Sequence, residues 1–343
     1  MLGVAAAGRG KEGGMKRFTR LAGSRGASWV WPPGGAAAAI LLALLVTACG
    51  GQADGGSAAA SAAAAASAPS AAGSSSAAPM VSAAAVTRAS LSRTFPAATG
   101  PLDLRVTRTG RWDGAPVRYV TYRSDGAVVT GVLSVPAGEG PFPAVLYAPG
   151  VTCRAEMFAD DVAALQRDGL AALVIDPPDG RDPHVAPVSL EPEVVVAAHV
   201  RYVTDLRRGL AVLESLAKID PDRIGYVGYS WGGFVGGYLA GLRTPVKTFV
   251  LTYAGADWVG ADPTQVADFV DPAAAVSAGR RGAYLFVGGV DDPLFSRASV
   301  TRYANAARGR MRLDWFPGGH GDLWAMPEGA AIEAHRAWLR DNM

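Results

Sequence analysis

Residues 228–233 (GYSWGG) constrain the fold most, because they join a strand-like segment directly to a helix-like one. The short apolar run 224–227 is typical of a buried strand, and the small residues of 232–242 are typical of a closely packed helix. Glycines on both sides of such a turn remove Cβ atoms that would clash. We therefore expect a strained backbone at Ser230, with its hydroxyl exposed at the carboxyl end of a sheet.

Strand-like and helix-like segments alternate from about residue 100 onward. Strands are predicted at 117–122, 128–135, 144–148, 170–175, 224–227, 247–253, 283–287 and 311–315, and helices at 155–167, 200–216, 232–242, 300–307 and 332–340. This alternation predicts one α/β domain, with a mainly parallel sheet covered by helices on both faces. The turn at 124–126 predicts that the first two strands form an antiparallel hairpin. Leucine spacing in the helix 200–216 predicts that Arg207 and Arg208 point outward.

The N-terminal part of the chain has the pattern of a secretory signal. Basic residues precede the apolar run 36–48, which at about 1.5 Å per residue is too short to cross a hydrocarbon core of about 30 Å. Translation from Met15 instead of Met1 gives a signal of more usual length. Residues 46–50 (VTACG) resemble the lipobox of bacterial lipoproteins, so we predict lipidation of Cys49. An ordinary signal peptide with a chance cysteine is the alternative.

The segment that follows consists largely of Ala, Ser and Gly. Such residues bury too little apolar surface to offset the entropy lost on ordering. We therefore predict a lipoprotein signal at 1–48, a lipidated and disordered tether at 49–95, and one folded domain at 96–343. This organisation implies a bacterial envelope protein, anchored to a membrane with its folded domain outside the cytoplasm. The membrane leaflet and the oligomeric state stay open.

Charge and cysteine content limit the partners and the cross-links. The formal net charge is +2, residues 1–49 carry +5, and the remainder therefore carries −3. A mildly acidic mature protein argues against a nucleic-acid partner. The chain has two cysteines, so lipidation of Cys49 would exclude a disulfide and leave the core to hold the fold.

Three segments carry residues suited to chemistry: 220–233 (DPDRIGYVGYSWGG), 287–295 (VGGVDDPLF) and 316–324 (FPGGHGDLW). Together they resemble the α/β-hydrolase superfamily, nearest its dienelactone hydrolase and acetylxylan esterase-like branches, which overlap with prolyl-oligopeptidase-type catalytic domains. The resemblance extends from about residue 117 to the C-terminus. It implies an α/β-hydrolase fold and a nucleophile, an acid and a base in the chain order Ser, Asp, His.

That order selects the base among four histidines. His184 and His199 precede Ser230, and His335 lies inside the last predicted helix, where it looks like a surface residue. His320 lies in a glycine-rich loop after the final strand, from which its ring can reach the serine.

The acid is expected in the loop after the strand 283–287, which offers Asp291 and Asp292. The Asp-Pro-apolar-apolar pattern of the family favours Asp292, and Asp291 remains the alternative. The acid orients the imidazole and stabilises its protonated form. The other carboxylate would cap the helix near Ser296 or bond within the loop.

An oxyanion hole requires two backbone N–H groups. The residue after the nucleophile, Trp231, supplies the first. The second comes from the loop 149–153, where the family's His-Gly appears as Pro-Gly, and that match indicates Val151. Cys153 in this loop is expected to be a small buried apolar residue and not a nucleophile.

The sequence indicates the substrate pocket less specifically than it indicates the catalytic residues. Trp258 and Trp324 follow strands that end at the predicted site, so they are candidates for pocket walls, with simple packing as the alternative. The long segment 177–199 is a candidate rim or small lid. No residues have metal-ligand spacing, and we expect no metal and no cofactor.

These features predict a serine hydrolase that cleaves carboxylic esters of small molecules through an acyl-enzyme on Ser230. A peptidase of the prolyl-oligopeptidase kind is one alternative, although the chain has no room for the long propeller of those enzymes. A non-catalytic envelope lipoprotein on a hydrolase scaffold is another. The presence of all three expected residues argues against it, but fold alone does not decide function.

Overall fold

The computed structural model describes residues 86–182, 184–187, 189, 191–257, 271–320 and 330–343. The predicted signal, Cys49, Trp258 and Trp324 lie outside these residues. The described strands are β1 Arg105–Trp112, β2 Ala115–Ser124, β3 Ala127–Ser134, β4 Phe142–Ala148, β5 Ala171–Ile175, β6 Ile219–Tyr229, β7 Val246–Thr252, β8 Gly282–Gly289 and β9 Gly309–Phe316. The described helices are α1 Arg88–Thr94, α2 Ala159–Arg167, α3 Pro192–Ser215, α4 Trp231–Gly241, α5 Pro272–Ala278, α6 Arg297–Ala306 and α7 Ala330–Asn342.

These nine strands form one sheet in the order β1-β2-β3-β5-β4-β6-β7-β8-β9. Strands β1, β2 and β3 are antiparallel neighbours, and β3 also pairs antiparallel with β5. All pairs from β5 through β4 to β9 are parallel. The predicted hairpin and the mainly parallel sheet are therefore confirmed. Strand β1 was not predicted, because this edge strand is exposed along nearly all of its length and lacks an apolar pattern.

Helices cover both faces of the sheet, as predicted. One apolar cluster contains side chains from α1, α3, α4, α5 and α6, and the other contains side chains from α2 and α7. Neighbouring residues of β4 show the alternation of a strand buried on both sides, since Leu146 packs in the first cluster and Tyr147 in the second. Among the described residues, no helix is both long enough and apolar enough to span a bilayer.

The folded body begins earlier than the predicted boundary at residue 96. Helix α1 lies within the predicted tether, and Thr87 caps it by accepting a hydrogen bond from the Ser90 N–H. Leu91 and Phe95 are fully buried in the first apolar cluster. These two large apolar residues separate 88–95 from the Ala- and Ser-rich residues before them, so 88–95 belong to the domain and not to the tether.

Helix α3 differs from its prediction in two respects. It begins at Pro192, well before residue 200, so it takes up part of the predicted rim. Arg208 is only 8% exposed and donates to the carbonyls of Gly100 and Arg123, so its predicted outward orientation is wrong. Backbone carbonyls in the loop before β1 need donors, and this guanidinium supplies them.

Candidate active site

The link between β6 and α4 has the geometry expected of a sharp strand-to-helix turn. Ser230 adopts φ 53° and ψ −115°, and its N–H donates to the Thr252 carbonyl over 2.8 Å. A Cβ on Gly228 would lie 2.4 Å from the Gly232 carbonyl oxygen. A Cβ on Gly232 would lie 1.8 Å from the Ala148 carbonyl oxygen, so neither glycine tolerates a side chain. The strained backbone at Ser230 is therefore held by a close fit on both sides.

Two hydrogen bonds connect Ser230 to a histidine and an aspartate. The Ser230 Oγ is 2.9 Å from the His320 Nε2, and the His320 Nδ1 is 2.9 Å from the Asp292 Oδ2. A carboxylate can only accept, so the imidazole proton is on Nδ1 and Nε2 accepts from the serine hydroxyl. The side chains of His320 and Asp292 are 3% and 1% exposed. This arrangement can remove a proton from Ser230 and stabilise the imidazolium that forms.

The loop after β8 fixes the Asp292 carboxylate. Its Oδ1 accepts from the N–H groups of Leu294 and Phe295, at 2.8 and 3.0 Å, which leaves Oδ2 for His320. Asp291 is exposed, and its N–H donates to the Gly318 carbonyl. The cap of α6 that we expected from the second carboxylate is instead Ser296, which accepts from the Ser299 N–H.

Two other histidines are buried and form hydrogen bonds with groups other than the Ser230 hydroxyl. His199 is 1% exposed and its Nδ1 donates to the Val195 carbonyl. His335 is 5% exposed and its Nε2 is 3.0 Å from the Thr252 Oγ1. Burial lowers the pKa of each imidazole to about 4, so both are neutral near pH 7.

The prediction of a surface His335 is therefore wrong. Helical spacing places it on the face of Ala331 and Trp338, both of which are buried, and this spacing was the available signal.

The loop after β4 lies against the serine. A Cβ on Gly150 would be 3.0 Å from the Ser230 Cβ and 3.4 Å from its Oγ. The Pro149 carbonyl accepts from the Gly232 N–H and from the Tyr202 hydroxyl, which fixes the start of the loop. The loop that carries Val151, the predicted oxyanion donor, is thus next to the nucleophile.

The other predicted donor, Trp231, is the first residue of α4. Its N–H has no acceptor within the helix, because the first turn of a helix leaves its N–H groups without intrahelical partners. The same helix end favours negative charge at the site through the helix dipole.

Cys153 is disulfide-bonded, and its side chain is fully buried. The expectation of a fold without a disulfide was conditional on lipidation of Cys49, and the disulfide at Cys153 does not agree with it. The sequence has one other cysteine, Cys49, which lies outside the described residues.

One acidic residue of the predicted rim reaches the site and was not singled out from the sequence. Asp179 lies on a short 3-10 turn after β5 and accepts from the Thr152 N–H over 2.6 Å. Asp182 instead accepts from the N–H of His184 within its own loop. Among the described residues, no group of three or more His, Cys, Asp or Glu side chains is placed to hold a metal.

No protein-family model matches the chain, and no curated protein is significantly similar to it in sequence. Its structure is similar to those of several hydrolases. A cold-adapted esterase from an Arctic intertidal metagenomic library superposes with a TM-score of 0.56 at 19% identity, over 69% of this chain and 98% of that one. Acetyl xylan esterase 1 from Thermoanaerobacterium gives 0.59 at 17% identity, over 73% and 92% of the two chains.

A dienelactone hydrolase-like protein from Klebsiella pneumoniae gives a TM-score of 0.52 at 18% identity, over 65% of this chain and 98% of that one. At such identities the likeness establishes the architecture and not the activity. Together with the strand order and the turn at Ser230, it shows that the chain has the α/β-hydrolase fold.

Proposed function

We propose that this protein is a serine hydrolase that cleaves carboxylic esters. The observation that carries the proposal is the hydrogen-bonded array of Ser230, His320 and Asp292 at a strained strand-to-helix turn. A serine becomes a nucleophile when a neutral imidazole is placed to take its proton. The esterase names of two similar structures support an ester as the substrate.

The proposed reaction begins with attack of the Ser230 Oγ on the acyl carbon while His320 Nε2 takes the hydroxyl proton. Asp292 stabilises the imidazolium, and the N–H groups of Trp231 and Val151 bind the negative oxygen of the tetrahedral intermediate. Collapse of the intermediate breaks the ester C–O bond, and His320 returns the proton to the leaving alcohol. Water, deprotonated by the same imidazole, then attacks the acyl-enzyme and releases the acid.

The proposal is tested with p-nitrophenyl esters of increasing acyl length and with a fluorophosphonate probe. We expect hydrolysis of short-chain esters and labelling at Ser230. Ser230→Ala and His320→Ala should each abolish turnover, and the double variant should be little worse because the residues act as a unit. Ser215→Ala, at the exposed end of α3, is the matched control and should keep full activity.

A folded preparation that neither reacts with the probe nor cleaves any activated ester would favour the non-catalytic alternative. Faster cleavage of peptide amides than of matched esters would favour the peptidase alternative. Hydrolysis that survives Ser230→Ala would show that another residue is the nucleophile.

We also propose that the protein is a lipoprotein of the bacterial envelope, with its signal at 1–48 and a diacylated Cys49. The support is the VTACG sequence and the Ala- and Ser-rich segment after it. The disulfide at Cys153 bears on this, because the sulfur of a lipidated Cys49 cannot also form a disulfide.

Membrane fractionation and mass spectrometry of the N-terminal peptide distinguish a lipidated Cys49 from a Cys49 that forms a disulfide. We expect the wild-type protein in membranes with a diacylated Cys49. Cys49→Ala should release it, and Cys153→Ser, the matched control, should leave it membrane-bound. A mature protein with an unlipidated Cys49 joined to Cys153 would contradict lipidation.

A further inference from the structure

The peptide group that joins Thr252 to Tyr253 lies between the proposed nucleophile and the proposed base. Its carbonyl accepts from the Ser230 N–H, and its own N–H donates to the Val287 carbonyl, each over 2.8 Å. The Tyr253 ring packs against the His320 imidazole, with 5.5 Å between the ring centroids. A rotation of this peptide would therefore change the position of Ser230 relative to His320.

The residues joined at this peptide have strained backbones. Ser230 has φ 53° and Tyr253 has φ 47°, in the region that favours glycine. Such conformations persist where the surrounding structure fixes them. Strand β7 ends at Thr252, directly before the strained tyrosine, so a contact from outside the strand is needed to hold this residue in place.

His335 of α7 supplies such a contact. Its Nε2 is 3.0 Å from the Thr252 Oγ1, and both side chains are buried. The other ring nitrogen, Nδ1, is buried and makes no hydrogen bond to any described residue. A buried polar atom without a partner is destabilising, so the packing of α7 on the sheet would be served better by an apolar side chain. The bond to Thr252 gives a reason for a histidine at this position.

We propose that His335 is a positioning residue that acts through Thr252 and holds Ser230 in the orientation for attack. Its hydrogen bond goes to the Thr252 hydroxyl and not to Ser230 or His320, so it is not a catalytic residue. The effect on catalysis rests on the proposed function, because it requires that Ser230 is the nucleophile.

The first test compares His335→Leu, which removes the bond and keeps a large side chain, with His335→Gln, whose amide can still bond to the Thr252 hydroxyl. A misplacement of about 1 Å costs about 10²-fold in rate, so His335→Leu should lower kcat about 10- to 100-fold. We expect KM to change less than about threefold, because the bond serves attack and not substrate binding. His335→Gln should recover most of the lost rate.

The second test removes both partners, so that neither is left buried and unpaired. Replacing both partners of a hydrogen bond by apolar groups of similar shape is nearly neutral for stability. The apolar double variant, Thr252→Val with His335→Leu, should therefore fold with a Tm close to that of the wild type. Its kcat should still be about 10- to 100-fold lower, which keeps the proposal testable even where His335→Leu alone folds poorly.

A second bond between the same helix and the same strand provides the matched control. Trp338 of α7 donates from Nε1 to the Thr248 Oγ1 over 2.8 Å, and Thr248 lies four residues before Thr252 in β7. Thr248→Val removes this buried bond without touching the peptide that binds Ser230. It should lower Tm, because the indole N–H loses its partner, and it should keep kcat within about threefold of the wild type.

Amide hydrogen exchange measures the positioning without a substrate. Exchange of a hydrogen-bonded N–H reports the local opening of its bond. The Ser230 N–H should exchange at least about tenfold faster in the apolar double variant than in the wild type, and at the wild-type rate in Thr248→Val.

The outcomes separate this inference from the proposed function. If the wild type cleaves esters through Ser230 but the apolar double variant keeps full kcat, only the positioning role is wrong. Equal losses of kcat in folded His335→Gln and His335→Leu, or in Thr248→Val and the apolar double variant, would also refute it. If the wild type cleaves no ester, the proposed function fails, and the exchange rate of the Ser230 N–H still decides whether His335 holds Ser230 in place.

Discussion

Replacing Asp292 by asparagine tests the proposed mechanism most directly, because it changes one atom and reverses one hydrogen bond. The Oδ1 of Asp292 is bound by the N–H groups of Leu294 and Phe295. The oxygen of an asparagine would keep those two bonds, so its NH₂ group would face the His320 Nδ1. That NH₂ can only donate, which forces the imidazole proton onto Nε2. An Nε2 that carries a proton cannot accept one from Ser230.

The expected loss follows from this change of tautomer. The equivalent replacement in a well-studied serine protease lowers kcat by about 10⁴-fold without altering the geometry. At about 1.36 kcal/mol for each factor of ten, the transition state of Asp292→Asn should be destabilised by about 5.4 kcal/mol. The proposed backbone donors at Trp231 and Val151 do not depend on the carboxylate, so some rate above the uncatalysed reaction should persist.

The assay is steady-state hydrolysis of a short-chain aryl ester, with Asp291→Asn as the matched control. Asp291 is adjacent in sequence and exposed, and its side chain makes no hydrogen bond to His320. We expect Asp291→Asn to keep kcat within about threefold of the wild type, with circular dichroism unchanged in both variants. A loss below tenfold in Asp292→Asn, or a larger loss in Asp291→Asn, would refute the assignment of the acid.

Three further substitutions probe the packing and the electrostatics of the fold. Gly232→Ala would place a Cβ 1.8 Å from the Ala148 carbonyl oxygen. We expect the free energy of unfolding to fall by at least about 3 kcal/mol, which should lower the Tm measured by calorimetry by about 6–12 °C. An unchanged Tm would contradict this close fit. Gly150→Ala would place a Cβ 3.0 Å from the Ser230 Cβ. It should lower kcat at least about tenfold and change Tm less than Gly232→Ala does. Full activity would show that the loop moves to accommodate the added methyl group. Burial raises the pKa of Asp161 to about 7, so its contribution to stability is full below about pH 4 and is lost as pH rises through 7. Asp161→Asn should therefore gain in stability over the wild type between pH 5 and 8, by at most about 4 kcal/mol, and a difference independent of pH would refute this.

Features that depend on neighbours in the chain were predictable from the sequence. The turn at Ser230 follows from glycines on both sides of a strand–helix junction, because the clash that they avoid arises within a few residues. The hairpin of β2 and β3 follows from a turn signal between two β-rich runs, and the parallel sheet follows from the alternation of strands and helices. The chain order that the family resemblance implies, together with the loop position, selected His320.

Features that depend on distant neighbours required the tertiary structure. The family pattern favoured Asp292 but left Asp291 open, and only the path of the loop beside β9 decides which carboxylate meets His320. The leucine spacing of its helix predicts a surface position for Arg208, but in the folded chain backbone carbonyls, including one in the loop before β1, lie within hydrogen-bond distance of it. Asp179 acquires its contact because β5 lies beside β4 in the sheet, so the loops that follow both strands meet at one edge. Steric clashes within a turn and the periodicity of apolar residues depend on residues that are close in the chain, so the sequence predicts them. The burial and the partners of a polar group depend on segments that only the folded chain brings together.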